Sequence, residues 1–312
     1  MDFEADVKSE ILQNLSYDRS DTATVSALNG MKMGDLLNIF INWLSRHVHP
    51  HPRNIFLSSE LKSNPDFQKN IAQINKIIDK IKNGGDISPH LSRRVLTGYS
   101  LPQKTKKLHN RKDLDMLLND WGIHHLHISD VIDSDGFVIR GDLLLFVIFL
   151  DDNAFLLDLA THKSWMNTHL VEVAVNNWPQ QELFYELKGI SPPTTAITDA
   201  DRKKMRNVGV NVFIEVNSKL YTSAKTVGLS CAGTSSRATM EVIRFKRQLT
   251  QARAQIEKDP EYLRPYLENT GKKWPKNPDF HLKFVTSQKG FHFVFHEITT
   301  GALFGFWPFF NL

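Results

Sequence analysis

The strongest constraint in this chain is a change of hydrophobic period at Trp121. Before it, apolar residues recur every three or four positions, as on one face of a helix; after it they alternate or run together, as in strands. Residues 142–150 form a strand candidate whose apolar run from Leu143 is closed by Asp151, Asp152 and Asn153, residue types that favour tight turns. Residues 124–128 and 154–160 are also strand-like, so three strands are predicted, followed by a helix over 167–176 that Pro179 ends. The longest apolar run, 143–150, is far short of the about twenty residues a membrane span needs, and so reads as a buried strand.

The segment before Trp121 is predicted to be helical. Leu36, Leu37, Phe40, Trp43 and Leu44 give residues 31–46 a helical stripe, which Pro50 and Pro52 stop. A second helix has Asn64 as its cap, Pro65 in its first turn and Phe67, Ile71, Ile74, Ile78 and Ile81 on one face, with Gly84 and Gly85 beyond it. A short turn over 88–99 and a short helix over 113–120 complete this part. Beyond Pro192 and Pro193, Thr198 caps a basic helix through Arg202, Lys203, Lys204 and Arg206. Segments 212–216 and 220–224 read as a hairpin, Ala238, Val242, Phe245, Leu249, Ala252 and Ile256 as a long helix, and 280–284 with 291–295 as a terminal meander. The expected fold is therefore α/β of the α+β kind. It has a helical N-terminal region with a basic linker (1–112), a central antiparallel sheet with flanking helices (113–190) and an α+β C-terminal domain (191–312).

At 312 residues with 41% hydrophobic and 23% charged side chains, the chain can build a sizeable core. One cysteine, Cys231, excludes an internal disulfide framework or a cysteine zinc cluster and fits a reducing compartment. The first ten residues carry Asp2, Glu4, Asp6 and Glu10 rather than the basic and apolar blocks of an export signal, so a cytoplasmic location is expected, with no membrane partner. No cofactor motif is present.

The main chemical candidate lies at 122–129. On a strand His125 and His127 share one face, and paired imidazoles can take a proton from an attacking hydroxyl and return one to a leaving oxygen. Arg140 before the next strand suits bidentate phosphate binding; His162 and Lys163 follow the third strand, and Trp165 offers a face for a base to stack on. Arg93, Arg94, Lys104, Lys106, Lys107, Arg111 and Lys112 fall between Asp86 and Asp113, a phosphate-compatible run that also fits a plain solvated loop. Gly233, Thr234, Ser235 and Ser236 open the long helix, where free amides attract anions, although simple capping accounts for them too. His47, His49 and His51 alternate along a proline-bound loop, as surface residues or as a metal or phosphate site, with no acidic or sulfur ligand beside them. The aromatic end, with Phe304, Phe306, Trp307, Phe309 and Phe310, needs cover from its own domain, from a protein partner or from a second copy.

Arg140 leading into an apolar strand, the acidic turn at Asp151 and Asp152, a second apolar strand and a polar tail at His162 together resemble the core hairpin of RelE/YoeB-type mRNA interferase toxins. The resemblance covers residues 121–165. It implies metal-free cleavage of RNA with the ribose 2′-hydroxyl as nucleophile, Arg140 as phosphate ligand and His162 in the polar tail. The sequence expectation is a metal-independent endoribonuclease, toxin-like or defence-related, acting on RNA. The alternative is a non-catalytic nucleic-acid-binding protein or a regulatory subunit of a larger complex.

Overall fold

The computed structural model describes residues 1–102, 111–161, 168–193, 195, 197–259, 261–287 and 290–305. The fold is α+β, as expected. Its residues group into two compact units: Met1–Leu44 with Ala238–Leu312, and Ser45–Arg237. This differs from three consecutive segments with boundaries after 112 and 190. The reason lies at the N-terminus, which pairs with the last sheet.

The first unit opens with α1 (Phe3–Asn14), α2 (Thr22–Gly30) and α3 (Met33–Leu44). Asp2 accepts the Ala5 amide and starts α1, which buries Phe3, Val7 and Ile11, four residues apart on one face.

The second unit contains β1 (Asn54–Leu57), α4 (Ser59–Ser63), α5 (Pro65–Lys69), α6 (Ile71–Lys82), two 3₁₀ turns at Ser88–His90 and Arg93–Leu96, and α7 (Met116–Trp121). Then come β2 (Ile123–His127), β3 (Leu143–Phe149), β4 (Asn153–Thr161), α8 (His169–Asn177), β5 (Phe184–Glu186), α9 (Asp199–Asn207), β6 (Ile214–Val216) and β7 (Lys219–Ser223). The chain next forms α10 (Ser236–Lys258), α11 (Arg264–Glu268), β8 (Phe280–Ser287), β9 (Gly290–Glu297) and β10 (Ala302–Gly305).

In the second unit the main sheet has the order β1-β4-β3-β2. The antiparallel β2, β3 and β4 match the expected three strands, while β1 adds a parallel pairing in which Ile55 lies beside Ala154 and Leu57 beside Leu156. One face packs on α6 through Ile74, Ile77, Ile81, Leu145, Val147 and Leu156. The other packs on α7 and α8 through Trp121, Phe146, Ile148, Phe155, Leu170 and Ala174. Burial on both faces explains why residues 143–149 are apolar throughout rather than alternating. Each such aliphatic side chain contributes about 2 kcal/mol when removed from water.

The helix expected from Asn64 to Ile81 is two helices, α5 and α6. Asn64 accepts the Asp66 amide and Pro65 occupies the first turn, as expected, but Asn70 leaves helical geometry at φ −112° and ψ 17°. Asn217 and Ser218 turn the β6–β7 hairpin with φ of 51° and 61°, the left-handed pair that a two-residue turn requires.

In the first unit β8, β9 and β10 form an antiparallel sheet with β8 at its edge. Asp6 accepts the Leu282 amide and Glu10 the Phe284 amide, both at 3.0 Å. Carboxylates one helical turn apart thus meet amides two residues apart on a strand, satisfying an edge that would otherwise stay open. Fully buried Glu297 holds the 297–302 turn: burial pushes its carboxyl up, but hydrogen bonds from Thr300, Asp279 and Thr299 outweigh that and hold it at about 2. The aromatic end beyond residue 305 lies outside the described residues.

Candidate functional site

Strand β2 is an edge strand whose side chains alternate, so His125 and His127 share a face with Ile123, opposite His124 and Leu126. The pairing expected from sequence is present, with ring centroids 6.0 Å apart. Its surroundings are not those of a surface cleft. His124, His125 and His127 are 5%, 3% and 2% exposed, and across the ladder His125 faces Phe146 while His127 faces Leu144. His124 stands edge-on to Phe149; burial first, and then the charge of Lys225, keep its imidazole well below its ordinary pKa and therefore neutral. The His127 carbonyl accepts from Nδ1 of buried His90.

Asp115, whose carboxylate caps α7 through the Leu118 amide, comes within 3.9 Å of His125 Nδ1. Beside this pair lies a cavity of about 10 Å³ lined by Arg46, Arg94, Asp115, His124 and His125 together with Leu91, Ser92, Val95 and Leu118. That is room for about one water. Arg46 is buried and donates to the carbonyls of Arg94, Thr97 and Asp113; burial pulls its pKa down to about 10.

The basic segment is only partly a free surface. Arg94 donates to the carbonyls of Leu114 and Arg111, and Arg111 holds both oxygens of buried Asp113, so these two side chains tie the segment to the chain that follows it. Lys112 is exposed. Lys104, Lys106 and Lys107 lie outside the described residues, as do His162, Lys163 and Trp165.

Arg93 and Arg140 are brought together by backbone pairing. The Val138 amide donates to the Pro89 carbonyl at 3.0 Å, fixing the loop before β3 against the 3₁₀ turn at Ser88–His90, which precedes the turn that carries Arg93 and Arg94. Arg93 also meets Asp133 at 3.0 Å and Asp135 at 2.5 Å in that loop. Arg140 is exposed beyond it, and its pKa is lowered, first by partial burial and then by Arg93, with Arg94 adding to the effect. Arg140 therefore feels the charge of two guanidiniums from a distant stretch.

The 233–236 segment does not present free amides to an anion. Gly233 N donates to Ser230 O, Ser236 N to Gly228 O and Arg237 N to Thr226 O, while Thr234 and Ser235 are buried. The helix start is satisfied by its own chain, which is the capping account. In the histidine loop His51 Nε2 is 3.1 Å from Asp152, and Arg53 gathers the His49, His51 and Leu150 carbonyls. Among the described residues no three of His, Cys, Asp and Glu are grouped to hold a metal ion.

Three features carried no sequence signal. Asp120 and Arg206 form a buried ion pair at 2.5 Å, with the guanidinium 4.0 Å above the Trp121 ring. Lys225 is half-buried against Gly122 and donates to the Phe149 carbonyl. Arg202, read from sequence as one cation of a basic helix, is buried at 4% exposure. No protein-family model, curated protein or solved structure matches the chain. No helix of the described residues is long and apolar enough to cross a membrane.

Proposed function

We propose that the unit Ser45–Arg237 binds nucleic acid, RNA in the first instance, through phosphates held at Arg93, Arg94 and Arg140. The observation that carries this reading is the convergence of these cations, fixed by the Val138 to Pro89 hydrogen bond. Arg140, whose proton affinity is lowered in part by the charges of Arg93 and Arg94, gains from an anion placed beside it, and a phosphodiester accepts from guanidinium donors in pairs. Lys112 extends the positive surface. A cytoplasmic setting belongs to the same reading and rests on the single cysteine.

Strand cleavage is the second reading, favoured by the approach of Asp115 to His125 beside Arg46 and Arg94. A carboxylate can orient an imidazole that moves protons, and adjacent guanidiniums suit a phosphorane-like charge. The likeness of residues 121–165 to mRNA interferases belongs here. A cavity the size of one water admits no nucleotide, so this chemistry requires the lining of Arg46 and Arg94 to move aside. Binding needs no such step and is therefore the leading reading.

Single-stranded RNA, tRNA and DNA incubated with the protein in EDTA, then run on native and denaturing gels, separate the two. The expected result is a retarded RNA band containing full-length strands. Fragments produced by the wild type and absent with His125→Ala would promote the cleavage reading. Unshifted, intact strands in every lane would contradict both.

A further inference from the structure

A second site in the same unit uses different elements. Between α8, α9 and β6 lies a cleft of about 820 Å³, within the range of about 300–1,000 Å³ typical of small-molecule sites. Its apolar walls come from Ile197, Met205, Val212, Phe213, Val216 and Leu220. One cation, Arg202, lines it together with Glu172, Asp199 and Glu215.

Arg202 is the unusual member. It is 4% exposed, yet its guanidinium is poorly satisfied: Nη1 reaches the Phe213 carbonyl at 3.4 Å, Nη2 the Ile197 carbonyl at 3.3 Å, and Nε has no hydrogen-bond partner. These distances are long for N–H donors, which prefer about 2.9 Å. Of the acids around it, Asp120 is committed to Arg206 at 2.5 Å and Asp201 to Lys204 and the Thr198 hydroxyl, while Asp199, also on the cleft, acts on Arg202 through its charge alone. A buried guanidinium with donors to spare calls for an acceptor that the chain itself does not provide.

We propose that this cleft binds a small organic acid, with its carboxylate on Arg202 and its apolar body against Met205, Phe213 and Leu220. A single carboxylate matches a single guanidinium with a planar pair of acceptors. Phosphate is the poorer match, because Glu172, Asp199 and Glu215 around the same cleft oppose every negative charge brought in and a dianion meets that repulsion twice over. The site is independent of the phosphate-binding surface at Arg140, so either can fail without the other.

Calorimetric titration of the full chain with hydrocinnamate, hydrocinnamyl alcohol and inorganic phosphate tests this, using the wild type, Arg202→Gln and Met205→Trp. Hydrocinnamate is expected to bind saturably, and the alcohol and phosphate are not. Arg202→Gln should weaken hydrocinnamate about tenfold or more by removing a charge-assisted pair. Met205→Trp, which puts an indole against the wall where the apolar body lies and leaves the guanidinium in place, should also weaken binding; it decides the matter alone if Arg202→Gln does not fold. Hydrocinnamate without saturation at millimolar concentration, equal binding of the alcohol, preference for phosphate, or an affinity that either substitution leaves unchanged overturns the proposal.

Discussion

Replacing Asp120 by alanine is expected to destabilise the unit Ser45–Arg237 by about 3–5 kcal/mol, read as a lower urea midpoint. Asp120 is 3% exposed and meets Arg206, 2% exposed, at 2.5 Å, so the pair joins α7 to α9 away from water. The guanidinium also lies over Trp121, and the Asp120 carbonyl accepts from the Thr226 hydroxyl. Removing the carboxylate leaves a positive charge buried beside an aromatic ring without its counter-ion, and that desolvation dominates the loss. The double variant Asp120→Leu with Arg206→Met should therefore be more stable than Asp120→Ala alone, because it removes both charges. A loss below about 1 kcal/mol would mean that the pair behaves as a screened surface contact.

Lys225 gives the second large effect, and its sign follows from protonation. Burial first, and then the charge of Arg53, lower its pKa from the ordinary 10.5 to about 8. Between these values the unfolded chain holds a proton that the folded chain has released, so stability rises with pH across that window. Below about 8 both states are protonated and the full cost of burying the ammonium is present. The gap amounts to about 3 kcal/mol at about 1.4 kcal/mol per pKa unit. Lys225→Met lacks this titration. The stability of the wild type relative to Lys225→Met is thus expected to improve by about that amount from pH 7 to pH 10.5. Parallel curves for the two proteins would show that the lysine is better solvated than its contact with the Phe149 carbonyl implies.

The elements that pattern and turn chemistry specify locally were legible in the sequence. Helix α3, the long helix α10, the β3–β4 hairpin and the Asn217-Ser218 turn all follow from spacings within a few residues. What was not legible depends on distant partners. Strand β1 is four residues long and is defined by its parallel neighbour β4, about a hundred positions away. The acidic residues of α1 read only as the lack of an export signal, yet Asp6 and Glu10 cap the edge of β8. Nothing near either segment announces the other.

The candidate site divides the same way. Alternation placed His125 and His127 on one face correctly, but a short strand does not reveal whether a helix covers that face. Here α7 and the 3₁₀ turn at Arg93–Leu96 lie close by, and the histidines are buried. Arg111 read as a phosphate-facing cation because its pairing with the buried Asp113 carboxylate leaves no trace in a charge pattern. Conversely, the pairing of Arg140 with Arg93 depends on a hydrogen bond between loops that sequence spacing does not encode.

Fluorescence anisotropy of a labelled single-stranded RNA, titrated with wild type and Arg140→Ala over a range of salt concentrations, tests the central claim most directly. Saturable binding that weakens with salt is expected, with Arg140→Ala binding more weakly and its log–log salt slope shallower by about 1. Wild-type and Arg140→Ala curves that coincide at every salt concentration, or an RNA that does not bind at all, would contradict phosphate recognition at Arg93, Arg94 and Arg140.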